Sequence, residues 1–155
     1  MTQTDRNSRL RILFLCTGNS CRSQMAEGWT RHLKGDVIEA HSAGVQPQGL
    51  NPWAVRVMAE AGVDISGHRS KHLNEVLDIS FDYVITVCDD AAENCPVFPG
   101  STTRLHVAFP DPPRLAQGLT DEEAILEIYR DVRDAIRRFV ETLPESLPPR
   151  QTCVG

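Results

Sequence analysis

An apolar run that ends on a cysteine, then a short polar loop, then an amphipathic stretch, sets the strongest constraint on this chain. Leu10-Arg-Ile-Leu-Phe-Leu15 reads as a buried strand. Cys16-Thr-Gly-Asn-Ser-Cys-Arg22 follows, and a helix is expected from Arg22 to Leu33, ended by Gly35. Val37 to His41 reads as a second short strand.

The rest of the chain repeats the alternation. Asn51-Pro52 starts a helix, with Asn as cap and Pro at the first helical position, and Gly62 stops it. Its apolar face carries Val55, Met58 and Ala59. A short helix is expected over Leu73 to Leu77 and a strand over Phe81 to Val87, ended by Cys88. Residues 89–94 have room for two helical turns before Pro96. Leu105 to Ala108 suggests the last strand, and Asp111-Pro112-Pro113 reads as a loop. Thr120-Asp121-Glu122-Glu123 is a capping-box start for a long terminal helix. Its apolar face is expected to hold Ile125, Ile128, Val132, Ile136, Phe139 and Val140, and its arginines, Arg130, Arg133, Arg137 and Arg138, to form a solvated face. Strands alternating with helices imply an α/β fold of three layers: a central, mostly parallel four-stranded sheet with helices on both faces. One domain over residues 9–143 is expected, with flexible tails at 1–8 and 144–155.

Bulk properties narrow the function. A net charge of −5 argues against a general nucleic-acid binder but leaves room for a local cationic pocket. No apolar run approaches the ~20 residues of a membrane span, and Met1 to Leu10 lacks the apolar core of a secretory signal, so the expected compartment is the cytoplasm. Five cysteines in such a chain point to free thiols, a metal or redox chemistry rather than a disulfide framework.

The Cys16–Arg22 loop has a physical reading as an anion site. A loop entering a helix aims several backbone N–H groups at one spot, and the helix dipole adds positive potential there. Thr17, Gly18, Asn19, Ser20, Cys21, Arg22 and Ser23 are the expected oxyanion-binding residues. Gly18 is read as supplying a backbone conformation closed to other residues. Arg22 can grip two oxygens of a tetrahedral anion with its planar fork. The donors that hold an anion should also stabilise a Cys16 thiolate and lower its pKa, and Ser23 is placed to add a hydroxyl hydrogen bond. Cys-x5-Arg recurs by chance; its place between an apolar strand and an amphipathic helix gives it weight. His32, His41, His68, His72 and His106 show no metal-ligand spacing beyond His68 and His72 four apart, and no metal site is expected. Cys21 is expected to pack away from the chemistry, and Cys153 to be a bystander.

Cys16-Thr-Gly-Asn-Ser-Cys-Arg-Ser-Gln-Met-Ala-Glu-Gly28 resembles the signature of thioredoxin-coupled arsenate reductases, which share a fold with low-molecular-weight protein tyrosine phosphatases. His41-Ser-Ala-Gly44, Asp64-Ile-Ser-Gly-His68, Thr86-Val-Cys88, Asn94-Cys95-Pro96 and Asp111-Pro112 match as well, so the resemblance runs from about residue 9 to 142. It implies Cys16 as nucleophile, Arg22 as oxyanion clamp, Asp111 as general acid, Cys88 as second thiol and Cys95 as third. It also implies arsenate as substrate, with phosphate or sulfate competing, thioredoxin as electron donor, no bound cofactor and a monomer. Asn19, Glu27 and Ser42 match positions that shape the loop or a potassium site in some members, but Lys71 falls where some carry an acidic ligand. An ammonium group there would replace the ion, so no specific potassium dependence is expected. Pro113 stands where the phosphatases place an aromatic residue, which weakens the case for a phosphotyrosine substrate. The alternative is a phosphatase of the same fold, and weak phosphatase activity can accompany reduction.

A phosphatase needs one thiol, whereas reducing arsenate needs two electrons, which two thiols supply on becoming a disulfide. The spacing of Cys88 and Cys95 has its own consequence. Seven residues of helix hold their Cα atoms ~10 Å apart, and a disulfide needs them within ~7 Å. Bonding the pair therefore requires residues 89–94 to unwind if they are helical.

Overall fold

The computed structural model describes residues 9–88 and 102–149. Strand β1, Leu10–Cys16, forms because its apolar run can be covered on both faces: Ile12, Leu13, Phe14 and Leu15 are all fully buried. Burial of side chains this size is worth roughly 1.5–3 kcal/mol each. Helix α1 is Arg22–Lys34, β2 is Ile38–Gly44 and α2 is Pro52–Glu60. A 3₁₀ turn, Leu73–Val76, precedes β3, Tyr83–Thr86, and β4, Thr103–His106. Helices α3, Pro112–Leu115, and α4, Glu122–Glu141, complete the chain.

The four strands are all parallel, in the order β2-β1-β3-β4, and helices cover the sheet to give the α/β sandwich the alternation implied. The order positions the site. The chain leaves β1 toward β2 on one side and later returns to β3 on the other. The strand order therefore reverses direction at β1 and β3, and a crevice lies at the carboxyl ends of these two strands. Cys16 pairs with Gly44 at the end of β1, while Leu15 pairs with Thr86 and its carbonyl accepts the Val87 N–H at 2.9 Å. Cys88 thus emerges beside Cys16.

Local chemistry explains most element ends. The Asn51 side chain accepts from the N–H groups of Trp53 and Ala54, and Gly62 adopts φ 85° beyond α2. The terminal helix starts one residue later than the capping-box reading, with Asp121 accepting from Ala124 N at 3.3 Å. Its buried stripe is Leu126, Tyr129, Val132, Ile136 and Val140, with Ile125 and Phe139 only part-buried against the core. Expecting Ile128 in place of Leu126 and Tyr129 rotated the face too far, because Tyr129 can bury its ring and still satisfy its hydroxyl, here with Asn51 Nδ2 at 3.1 Å. Arg130 pairs with Glu60 and Glu123, and Arg133 donates to the Val57 carbonyl, so these arginines tie α4 to α2.

Asp111-Pro112-Pro113 is not a plain loop. Asp111 caps α3, with Pro112 buried in the first turn. Proline starts a helix as readily as it breaks one: its fixed φ suits the first turn, and the N–H it lacks has no helical partner there. Residues 144–149 also do more than trail: Leu147 packs against the core, and the Tyr83 hydroxyl donates to the Pro148 carbonyl at 2.6 Å. Among the described residues no helix is long and apolar enough to cross a membrane.

Candidate active site

The crevice at the ends of β1 and β3 is a cavity of about 340 Å³. Its floor and walls are Cys16, Thr17, Gly18, Ser20, Cys21 and Arg22 of the loop, together with Cys88. Its mouth is Gln48, Asp111, Pro113 and Arg114. Asn19 and Ser23 lie beneath it, fully buried.

The loop is held from outside by a second segment. Gln46 N donates to the Thr17 carbonyl at 2.8 Å and Gln48 N to the Gly18 carbonyl at 2.9 Å. The left-handed residue is Asn19, at φ 45°, and not Gly18, which has no positive φ. Asparagine tolerates that region because its short amide can bond locally, and here it does so fully. Asn19 Oδ1 accepts from Lys71 N at 2.9 Å and Gln24 Nε2 at 3.1 Å, and Nδ2 donates to Ser23 Oγ at 2.9 Å. Gly18 instead makes room: a Cβ there would lie 2.9 Å from Gln48 Oε1. Gly44 is tighter, since its Cβ would meet the Thr17 carbonyl at 2.7 Å and Asn19 N at 2.9 Å, both backbone.

A directed chain of hydrogen bonds ends on Cys16. Gln24 Nε2 faces oxygens of Asn19 and Arg69, so its Oε1 is the acceptor toward His68 Nδ1 at 2.9 Å, which fixes that nitrogen as protonated. The chain runs from His68 through Gln24, Asn19 and Ser23, whose hydroxyl donates to Cys16 Sγ at 3.3 Å.

Cys88 is bound by the same loop. Thr17 N donates to Cys88 Sγ at 3.2 Å, the Thr17 hydroxyl lies 3.3 Å away, and Cys16 and Cys88 line the same cavity. Both thiols are buried. The expectation of a lowered Cys16 pKa is overturned for this thiol pair. The adjoining Cys88 thiol pushes Cys16 up, burial adds to it, and the Ser23 hydroxyl and N–H pull it back down. Two adjacent buried sulfurs hold a proton between them more tightly than either would alone. With Ser23→Ala, one downward pull goes, and alkylation of Cys16 by iodoacetamide at pH 7, followed by mass spectrometry, should slow about tenfold. An unchanged rate would show that Ser23 does not support the thiolate.

Arg22 Nη1 donates to the Phe109 carbonyl at 2.9 Å, and Nη2 lies 3.6 Å from Asp111 Oδ1. Asp111 caps α3 through its backbone and not its side chain, so its part-exposed carboxyl stays available at the pocket mouth. Cys21 packs in the core, as expected, although the residue also borders the pocket, and burial pushes its thiol far up. Gln48 and Arg114 carried no sequence signal as site residues. Cys95 and residues 89–94, and with them the expected unwinding, lie outside the described residues, as does Cys153.

Glu27, 3% exposed, accepts from Ser42 Oγ at 2.5 Å and pairs with Arg31 at 2.8 Å. Burial pushes the Lys71 amine down while Glu27 pulls it back up, and Lys71 Nζ donates to the Arg69 carbonyl at 3.2 Å. A carboxylate already shared by Ser42 and Arg31 in the field of Lys71 does not fit a potassium ion. His72 is spent capping the 3₁₀ turn through Asn74 N. Among the described residues no group of three His, Cys, Asp or Glu side chains converges to hold a metal.

This geometry has relatives. A Bacillus licheniformis arsenate reductase is 47% identical over 137 residues, covering 87% of this chain and 98% of the relative. An arsenate reductase solved in its reduced state superposes with a TM-score of 0.67 at 31% identity, covering 90% of this chain and 99% of that one. A thioredoxin-dependent arsenate reductase from Corynebacterium glutamicum gives 0.63 at 27% identity, covering 94% and 67%. The family model for low molecular weight phosphotyrosine protein phosphatases matches residues 11–151. A strand–loop–helix anion site at a parallel sheet's switch point, matched over nearly the whole chain, therefore places this protein in the low molecular weight phosphotyrosine protein phosphatase family.

Proposed function

We propose that this protein reduces arsenate to arsenite by a three-thiol relay and that thioredoxin restores it. One observation carries the reading: a second thiol, Cys88, is hydrogen-bonded to Thr17 of the Cys16 loop and lines the same cavity as Cys16. Hydrolysis of a phosphate ester has no use for it, whereas a two-electron reduction requires it. The arsenate reductases among the relatives support the same assignment.

The steps balance as follows. The Cys16 thiolate attacks arsenic(V) held by the loop amides and Arg22, and one arsenic oxygen leaves as water with a proton from Asp111. Cys88 then attacks the Cys16 sulfur. The electron pair of the S–As bond passes to arsenic, which departs as arsenite, and a Cys16–Cys88 disulfide remains. Cys95 attacks Cys88, frees Cys16 and leaves a Cys88–Cys95 disulfide for a thioredoxin dithiol to reduce by exchange. No metal or bound cofactor takes part, and the protein acts as a cytoplasmic monomer.

The deciding measurement is arsenate-dependent NADPH oxidation in the presence of thioredoxin and its reductase. Wild-type protein should sustain it, while Cys95→Ser should release one arsenite per chain and then stop. Sustained turnover by Cys95→Ser would remove the third thiol from the scheme, and no turnover by wild type would leave a phosphatase. The phosphatase reading rests on Cys16, Arg22 and Asp111 alone and predicts hydrolysis of an aryl phosphate indifferent to Cys88 and Cys95.

A further inference from the structure

The mouth of the pocket differs chemically from its floor. The floor is the loop from Cys16 to Arg22 with the Cys16 and Cys88 sulfurs, a strand-to-helix loop of the kind that suits a tetrahedral oxyanion. The mouth decides what else such an anion may carry. Of its four residues only Pro113 is apolar, and among the described residues no aromatic or large aliphatic side chain lines the cavity. An aryl ester would find no apolar wall for its ring, and its burial would return little of the ~25 cal/mol per Å² that such surface can yield.

The two guanidinium groups of the cavity are placed differently. Arg22 is committed to the Phe109 carbonyl and faces Asp111 at 3.6 Å. The Arg114 guanidinium has no hydrogen bond or ion pair among the described residues, although it stands at the cavity's rim on α3. Most arginines elsewhere on this surface are matched: Arg56 with Glu122, Arg69 with Glu75, Arg130 with Glu60. A positive charge left unmatched at the opening of an anion pocket, in a chain of net charge −5, concentrates small anions where the overall charge repels them. Gln48 stands at the same mouth, fixed by its N–H bond to Gly18, and its side-chain amide adds a neutral donor there.

We infer that Arg114 is a second anion-binding cation of this site, which draws a free inorganic oxyanion to the mouth and, with Gln48, selects it over an aryl ester. The inference deepens the proposed function and rests on it for the identity of the substrate. The binding step can be tested without turnover, however.

Inorganic phosphate is the probe, and its protection of Cys16 against iodoacetamide is the readout. At a constant 0.01 M ionic strength, Arg114→Gln should raise the half-protecting phosphate concentration about tenfold, with Arg114→Lys within about threefold of wild type. The gap should narrow at 0.15 M, because the Debye length falls from ~30 to ~8 Å. In the reductase assay, Arg114→Gln should raise KM for arsenate by a similar factor and leave kcat within about twofold. Equal protection of wild type and Arg114→Gln at low salt would overturn the inference. So would a loss confined to kcat, which would mean that Arg114 positions the chemistry and does not recruit the anion. If wild type binds phosphate but reduces no arsenate, the reductase reading fails, and weaker protection in Arg114→Gln still establishes the second cation.

Discussion

Cys88→Ser should form no arsenite with thioredoxin present, a loss of at least about a thousandfold, while hydrolysis of an aryl phosphate stays within a few-fold of wild type. Serine is nearly isosteric and keeps a polar atom for the contacts with Thr17 N and the Thr17 hydroxyl, so the loop retains its shape. What disappears is an atom that can form a bond to sulfur. Without it the Cys16–arsenic adduct has no electron pair to accept, and arsenic stays pentavalent. Cys21 lines the same cavity but cannot take over: burial holds it as an inert thiol, and the thiolate is the nucleophile. Arsenite release by Cys88→Ser at more than about one per cent of the wild-type rate would disprove the pairing of Cys16 with Cys88.

How much of this was legible in the sequence follows from the range of the interactions involved. The β1–loop–α1 unit was plain because every signal in it is local: an apolar run, a polar loop, a helix with its stop. The expectation that the loop binds an anion draws on equally local signals, since backbone amides at a helix start need no distant partner. The meeting of Cys16 and Cys88 was a different matter. It depends on β3 pairing beside β1, and strand order is not written in the periodicity of either strand. Only the resemblance to a known family brought the two together.

Smaller misses have the same cause. Asn19, not Gly18, bends backward because Lys71 N and Gln24 converge on its amide, and both contacts are tertiary. Gln48 and Arg114 are exposed loop and first-turn residues of ordinary composition. Their place at the pocket mouth comes from where residues 46–49 and α3 are tied down. The direction of the Cys16 pKa is not legible in the loop alone, because the second sulfur that raises it comes from the end of β3.

Cys16→Ser should lose both reduction and hydrolysis, and yet it should still bind the anion. The two properties reside in different atoms. Bond formation at arsenic or phosphorus needs the sulfur, and among the described residues a serine hydroxyl there is bonded only to Ser23, which donates a hydrogen bond and accepts one from Asn19. Binding rests instead on the loop amides and on Arg22, which the substitution leaves in place. A thiolate and an oxyanion also repel across the same cavity, so removing the sulfur relieves that repulsion. Inorganic phosphate at 100 times its Kd should then stabilise Cys16→Ser by about 2.7 kcal/mol, a rise in Tm of roughly 5–11 °C for a domain of this size. Arg22→Ala should show little of that rise, because half of the clamp is gone and Asp111 loses the charge opposite it. A Cys16→Ser protein that phosphate does not stabilise, beside a wild type that it does, would make the sulfur part of the binding site. A Cys16→Ser protein that still reduced arsenate would place the first bond to arsenic on another atom and dissolve the relay altogether.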